Sequence, residues 1–342
     1  MESSWDGEDV SRNRVSWVVA IWLCSTALLA GACSSDDAGP EPGDTEPPAR
    51  TVVVSDRFVR GGFIESDEPA AMAVTPDGSL LIGERVTGRI LSVSAEQLAA
   101  ESPVATEFAR VDVATDGQQG LLGLAVLADG TVLAGLTRPD DADRPRQVVV
   151  SVDPSDEQQP VWIGPVAADE AIGGRLALMA DGRILIGLGD FLRGKANSFD
   201  ADEPYSKLLS LDPTGPPDQQ PVVVSQGWNN PFAFTVAPDG AVWIADNAPG
   251  EVPERIGRGD EDGPVIDMLI ERAPSGLAVL GPDELAVCGV VSGLLELVPI
   301  VDGAASEPTT VLADPCELGV VALPGGALAV AQFDGVRILT PS

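Results

Sequence analysis

The stretch AMAVTPDGSLLIGE, residues 71–84, decides the fold. An apolar run enters a Pro-Asp-Gly turn and a second apolar run leaves it. In such a turn Asp caps the backbone and Gly accepts a positive φ. The unit recurs as LGLAVLADGTVLAGL (122–136), LALMADGRILIGLG (176–189), FTVAPDGAVWIAD (234–246), LAVLGPDELAVCG (277–289) and VVALPGGALAVAQ (320–332). The central positions are Asp77, Asp129, Asp181, Asp239, Asp283 and Gly325, spaced 52, 52, 58, 44 and 42 residues apart. Several copies carry a third strand: RILSV (89–93), VVVSV (148–152), KLLSL (207–211) and VRILT (336–340). No long stretch shows helical period.

A unit of three or four strands cannot cover both of its faces alone, so six units predict an all-β fold, a six-bladed β-propeller. A ring must close or leave open edges. TVVV (51–54) is expected to supply the missing strand of the last blade, beside VRILT. The turn aspartates are then structural. A pair of β-sandwiches would not repeat one pattern six times.

Composition limits the chemistry. The chain has 342 residues, 53 acidic against 20 basic, a net charge of −33 and no histidine. That excludes a Ser-His-Asp triad, a Cys-His pair, His-ligated zinc or haem, and an imidazole base. Lys195 and Lys207 are the two lysines. Proton transfer falls to carboxylates, Tyr205 or these lysines. The acid excess argues against nucleic acid as partner, because phosphates require a basic surface. The charge itself reads first as a solvated, self-repelling surface.

Residues 1–32 read as an export signal: a polar start with Arg12 and Arg14, an apolar run WVVAIWLCSTALLA (17–30), then small residues before Cys33. Run, small residues and Cys are similar to a bacterial lipoprotein cleavage site, making Cys33 the lipid anchor; an ordinary signal peptide is the alternative. Residues 33–50 are a Pro-rich acidic tether, and 51–342 form the propeller. The expected location is the bacterial cell envelope, on the periplasmic or extracellular face, with the membrane reached through the lipid alone. Cys288 and Cys316 pair if neighbouring strands bring them together; the alternative is two buried thiols. The segment 260–263 (DEDG) holds half of a calcium loop without the full spacing.

Four segments go beyond a generic propeller. DGQQGLLGLA (116–125) resembles the "GLLGLA" segment of the glucose/sorbosone dehydrogenase family. GGRLA (173–177), Asp181-Gly182 and LGD (188–190) resemble its "GGRLAF…PDG…LGD" stretch. KLLSLDP (207–213) resembles "GKILRIDP". NPF (230–232), APD (237–239) and WIAD (243–246) resemble "RNPFRFAFDP…LWIGD", and Glu254 falls where an acidic pair follows. The ordered set spans about residues 60 to 260. The resemblance implies a six-bladed propeller holding pyrroloquinoline quinone (PQQ) and calcium at one end of its channel. There, aldose sugars are oxidised at C1 by hydride transfer to the quinone, with a histidine as base and arginines on the cofactor's carboxylates.

The chain departs from this pattern where chemistry is decided. Ala171 stands at the position of the family's histidine, Asn229 at that of an arginine, and Ser210 at that of another. Losing a positioned base costs typically 10²–10⁴-fold. Candidate pocket residues are Gln118, Gln119, Ala171, Arg175, Asp190, Asn229, Asn230 and Asp246; for each polar one the alternative is a loop cap. Trp228 is the candidate for stacking on a sugar. The loop 191–206, with Arg193, Lys195 and Tyr205, either covers the pocket or is a surface insertion. The expected function is a lipid-anchored, non-catalytic propeller that binds a small molecule, such as a sugar, or an envelope protein. Two alternatives stand beside it: a PQQ-dependent aldose dehydrogenase with a carboxylate base such as Asp190, and a calcium-dependent lactonase built on Asp190, Asp246 and Glu254. Whether the protein is an enzyme is left open.

Overall fold

Six sheets follow one another along the chain and close into a six-bladed propeller. The computed structural model describes residues 53–155, 158–193, 199–248, 254–260, 266–268, 272–306, 308 and 310–342. The signal segment, Cys33, the tether and Lys195 lie outside the described residues.

Each blade is built around one repeat: five sheets have four antiparallel strands, and that of blade five has six among the described residues, one of them parallel. In the first, Pro69–Val74 is innermost, followed by Leu80–Glu84, Arg89–Val93 and Thr106–Arg110. The inner strands of blades two to six are Leu121–Val126, Leu176–Leu178, Asn230–Val236, Pro274–Gly281 and Gly319–Ala322. The expected third strands are present as Arg89–Val93, Pro145–Val152, Lys207–Leu211 and Gly335–Pro341.

The Asp-Gly turns work as local chemistry requires. Asp129, Asp181 and Asp239 each accept the amide two residues on, from Thr131 (2.9 Å), Arg183 (3.0 Å) and Ala241 (3.0 Å). The glycines that follow have φ of 89°, 85° and 90°. A side chain would be strained at these angles. These turns join the first and second strands of a blade. The second-to-third turns and the entries to the inner strands therefore gather at the opposite end.

The core is divided by interface. Six apolar clusters each join two neighbouring blades, such as Leu81 and Ile90 of blade one with Leu121 and Val150 of blade two. The last of the ring joins Met72 and Ile82 of blade one to Ala331 and Ile338 of blade six. Burying an apolar side chain of this size contributes about 1.5–3 kcal/mol. The interfaces therefore outweigh any single turn.

Closure differs from expectation. The strand beside Gly335–Pro341 is Phe58–Glu65, not 51–54. Val53–Ser55 instead runs parallel to Thr310–Pro315 at the outer edge of blade five. Phe58–Glu65 wins the closing place because it buries Ile64 between blades six and one, and a bulge between Arg60 and Phe63 takes up its glycine pair. That pair, beside a charge, hid the strand in the sequence. The disulfide is formed: Cys288 and Cys316 have their Cα atoms 5.1 Å apart.

Candidate functional site

The predicted pocket residues come together at the end of the propeller opposite the Asp-Gly turns. Gln118 lies ahead of the inner strand of blade two, and its Oε1 accepts the amide of Ala171 (2.9 Å). Gln119 donates from Nε2 to the carbonyl of Ala168 (3.1 Å), while its buried Oε1 has no partner among the described residues. The carbonyl of Ala171 accepts the amide of Phe191 (3.2 Å). The Asp190 amide donates to the carbonyl of Asn229 (2.7 Å), and Asp190 Oδ1 accepts the amide of Leu192 (2.9 Å). Gly189 lets these loops meet: a Cβ there would stand 1.7 Å from the Ala171 oxygen.

Asp246, fully buried at the end of the second strand of blade four, is the hub of a polar cluster. It accepts the amides of Asn229 and Asn230 (both 2.9 Å) and Asn229 Nδ2 (3.0 Å). Arg255, its cross-strand partner in the register, completes the set with an ion pair. Burial pushes the Asp246 carboxyl up, against Arg255 and the two amides, which pull it down. Arg255 is not among the residues that the sequence marks as pocket candidates. The one signal for it was its place opposite Asp246 across a strand pair, legible only once the register is known.

Backbone strain concentrates at the same end. Of the eight described non-glycine residues with positive φ, seven lie here: Glu68, Asp143, Ala171, Phe191, Leu192, Ser206 and Ala273. Such outliers cost on the order of 1–3 kcal/mol each and persist where the surroundings over-determine them. Here hydrogen bonds and packing do so. Phe191 and Tyr205 meet edge to face at 4.7 Å, and the Arg193 guanidinium lies 4.0 Å over the Tyr205 ring. Lys207 Nζ donates to the carbonyls of Asp200 (2.7 Å), Glu203 (2.7 Å) and Tyr205 (3.2 Å), and its burial lowers its pKa. The described parts of the loop are thus folded down onto the blade.

Arg175 departs from its neighbours. It precedes the inner strand of blade three, yet its guanidinium reaches Phe232, Ser275 and Leu318, in or beside the inner strands of blades four, five and six. Trp228 corrects an expectation: it is fully buried and donates from Nε1 to Ser225 Oγ (2.9 Å). It belongs to the core between blades three and four and offers no ring to a sugar.

The class that the fold and site define is a six-bladed propeller whose polar, strained loops gather at one end. The family model for glucose / sorbosone dehydrogenase matches residues 66–254, and the chain belongs to that family. Among solved structures it is similar to a putative glucose dehydrogenase from Thermus thermophilus, at 22% identity and TM-score 0.67 over 82% of this chain and 99% of that one. It is similar to the PQQ-bound aldose sugar dehydrogenase of Streptomyces coelicolor, at 20% identity and TM-score 0.66, over 86% and 99%. It also resembles the soluble aldose sugar dehydrogenase of Escherichia coli in its apo form, at 19% and 0.67, over 81% and 97%. No curated protein matches the chain.

The residues present do not fit the family's quinone. A tricarboxylate needs unspent cations. Among the described residues at this end, Arg85 pairs with Glu68, Arg255 with Asp246 and Arg272 with Glu296. Lys207 is held by carbonyls and Arg193 by Tyr205. Besides Lys207, Arg193 and Arg175 are the cations here that pair with no carboxylate among the described residues, and Arg175 lies among the inner strands, so a tricarboxylate finds too few. Nor do the acids converge for calcium: no group of three that could hold a metal is found among the described residues. Glu254 is committed to the amides of Arg272 and Ala273 (2.6 Å each), and Asp246 to Arg255 and two amides.

Proposed function

We propose that this chain is a lipid-anchored member of the glucose/sorbosone dehydrogenase family that binds a ligand at the loop end of the propeller and does not oxidise sugars through PQQ. The observation that carries the reading is Ala171. At the family's base position it offers a methyl group, and its amide and carbonyl are fastened to Gln118 and Phe191. Asp190, the substitute base, accepts the Leu192 amide and so caps the strained Phe191–Leu192 turn. A carboxylate used in this way stabilises a loop.

The test is a titration of the full-length protein in detergent with PQQ and calcium, followed by absorbance, then addition of glucose and an electron-accepting dye. No spectral change and no dye reduction are expected. Dye reduction that disappears in Asp190→Asn would replace this reading with that of a carboxylate-based enzyme. Anchoring is tested separately. The wild-type chain should partition with membranes and Cys33→Ser should not; equal partitioning would remove the lipid anchor.

A further inference from the structure

The described buried cations divide into two groups. Arg85, Arg255 and Arg272 each face a carboxylate. Lys207 and Arg175 make no ion pair among the described residues, and each is bonded to carbonyl oxygens. For Lys207 three carbonyls use all three N–H groups. For Arg175 the account does not close. Its Nε donates to the Phe232 carbonyl (3.0 Å), and Nη2 donates to the carbonyls of Ser275 (2.7 Å) and Leu318 (3.2 Å). Nη1 and its two N–H groups bond to no described residue.

The residue as a whole is buried, while Nη1 is not among its fully enclosed atoms and so faces open space. Arg175 is 7% exposed, and its Cζ lies 4.3 Å over the Phe232 ring. Desolvation lowers its pKa to about 10, with no acidic neighbour to oppose it. A largely desolvated guanidinium with no carboxylate beside it favours a small anion at its open nitrogen. A second polar group is idle in the same place. Ser275, whose carbonyl takes Nη2, is 2% exposed, and its hydroxyl has no partner among the described residues. The facing strand offers a glycine: a Cβ on Gly319 would lie 3.5 Å from Nη2 and 3.6 Å from Nη1.

We infer that the central channel holds a small monovalent anion, of halide or formate size, on Nη1 of Arg175, with the Ser275 hydroxyl as a further donor. The site is independent of the reading of the loop end, because it lies among the inner strands. The anion supplies the negative charge that this strongly acidic chain withholds from the guanidinium. It also couples the inner strands of blades three to six.

Two measurements test it. Crystals of the protein soaked in bromide should show an anomalous peak at Nη1; its absence overturns the inference. Thermal unfolding is then followed against chloride at fixed ionic strength, with isethionate making up the balance, so that screening is constant. A saturable rise is expected, and at chloride 100 times its Kd the folding equilibrium constant gains about 100-fold. Gly319→Ala keeps the guanidinium and sets a methyl against it, so the variant should lose the saturable rise. Retention of the full rise in that variant overturns the site. Should the variant fail to fold, the bromide peak in the unaltered protein decides alone.

Discussion

A single pair shows how the loop end is held. Asp246 and Arg255 face each other from adjacent strands in a fully buried place, with two backbone amides completing the carboxylate. Removing one partner of such a pair leaves an uncompensated buried charge, at a cost of about 3–5 kcal/mol. Arg255→Met should therefore lower stability by about that amount in urea unfolding, and adding Asp246→Asn should restore most of it. The pH dependence has a definite sign. Burial raises the folded pKa of Asp246 above its unfolded value, so the native state takes up the proton first. The penalty in Arg255→Met should shrink as pH falls from neutral toward the ordinary carboxylate range. A penalty that grows on acidification would show that Asp246 is not the group left exposed to the fault. Ala171 makes the complementary point. Its identity was legible in the sequence, whereas its positive φ and its bond to Gln118 were not.

At the level of elements, two non-local links join blades. The closing strand Phe58–Glu65 ties the start of the folded chain to its end. The disulfide ties Cys288, in the second strand of blade five, to Cys316, just ahead of the inner strand of blade six. It closes a loop of 28 residues. A loop of that size restricts the unfolded chain enough to contribute about 3.5 kcal/mol. Reduction should lower the urea midpoint accordingly, and the Cys288→Ala, Cys316→Ala double variant should be indifferent to reductant. An unchanged wild-type midpoint would mean that the link adds nothing. The turn pattern of each blade was readable because it is local: adjacent Asp and Gly dictate their own geometry. The closing strand was not, because its partner lies at the other end of the chain and its glycine pair fits a strand only as a bulge.

For the molecule as a whole, a net charge of −33 sets the response to salt. Raising ionic strength from 0.01 to 0.15 M shortens the screening length from about 30 Å to about 8 Å. Repulsion between the exposed acids then weakens while the buried pairs keep their strength. The urea midpoint should rise over this range; a midpoint that does not move would show that the acids are too far apart to oppose folding. The same excess of acid supplies the carboxylates that face Arg85, Arg255 and Arg272. Six blades, their turns and the family could be read along the chain, because each repeat carries its own turn chemistry and its own apolar strands. Which strand closes the ring, that Trp228 is core, and where every guanidinium ends depended on the tertiary structure. Those outcomes are set by register and by contacts between residues far apart in the chain, 276 positions for Arg337 and Gly61, and no local pattern encodes them.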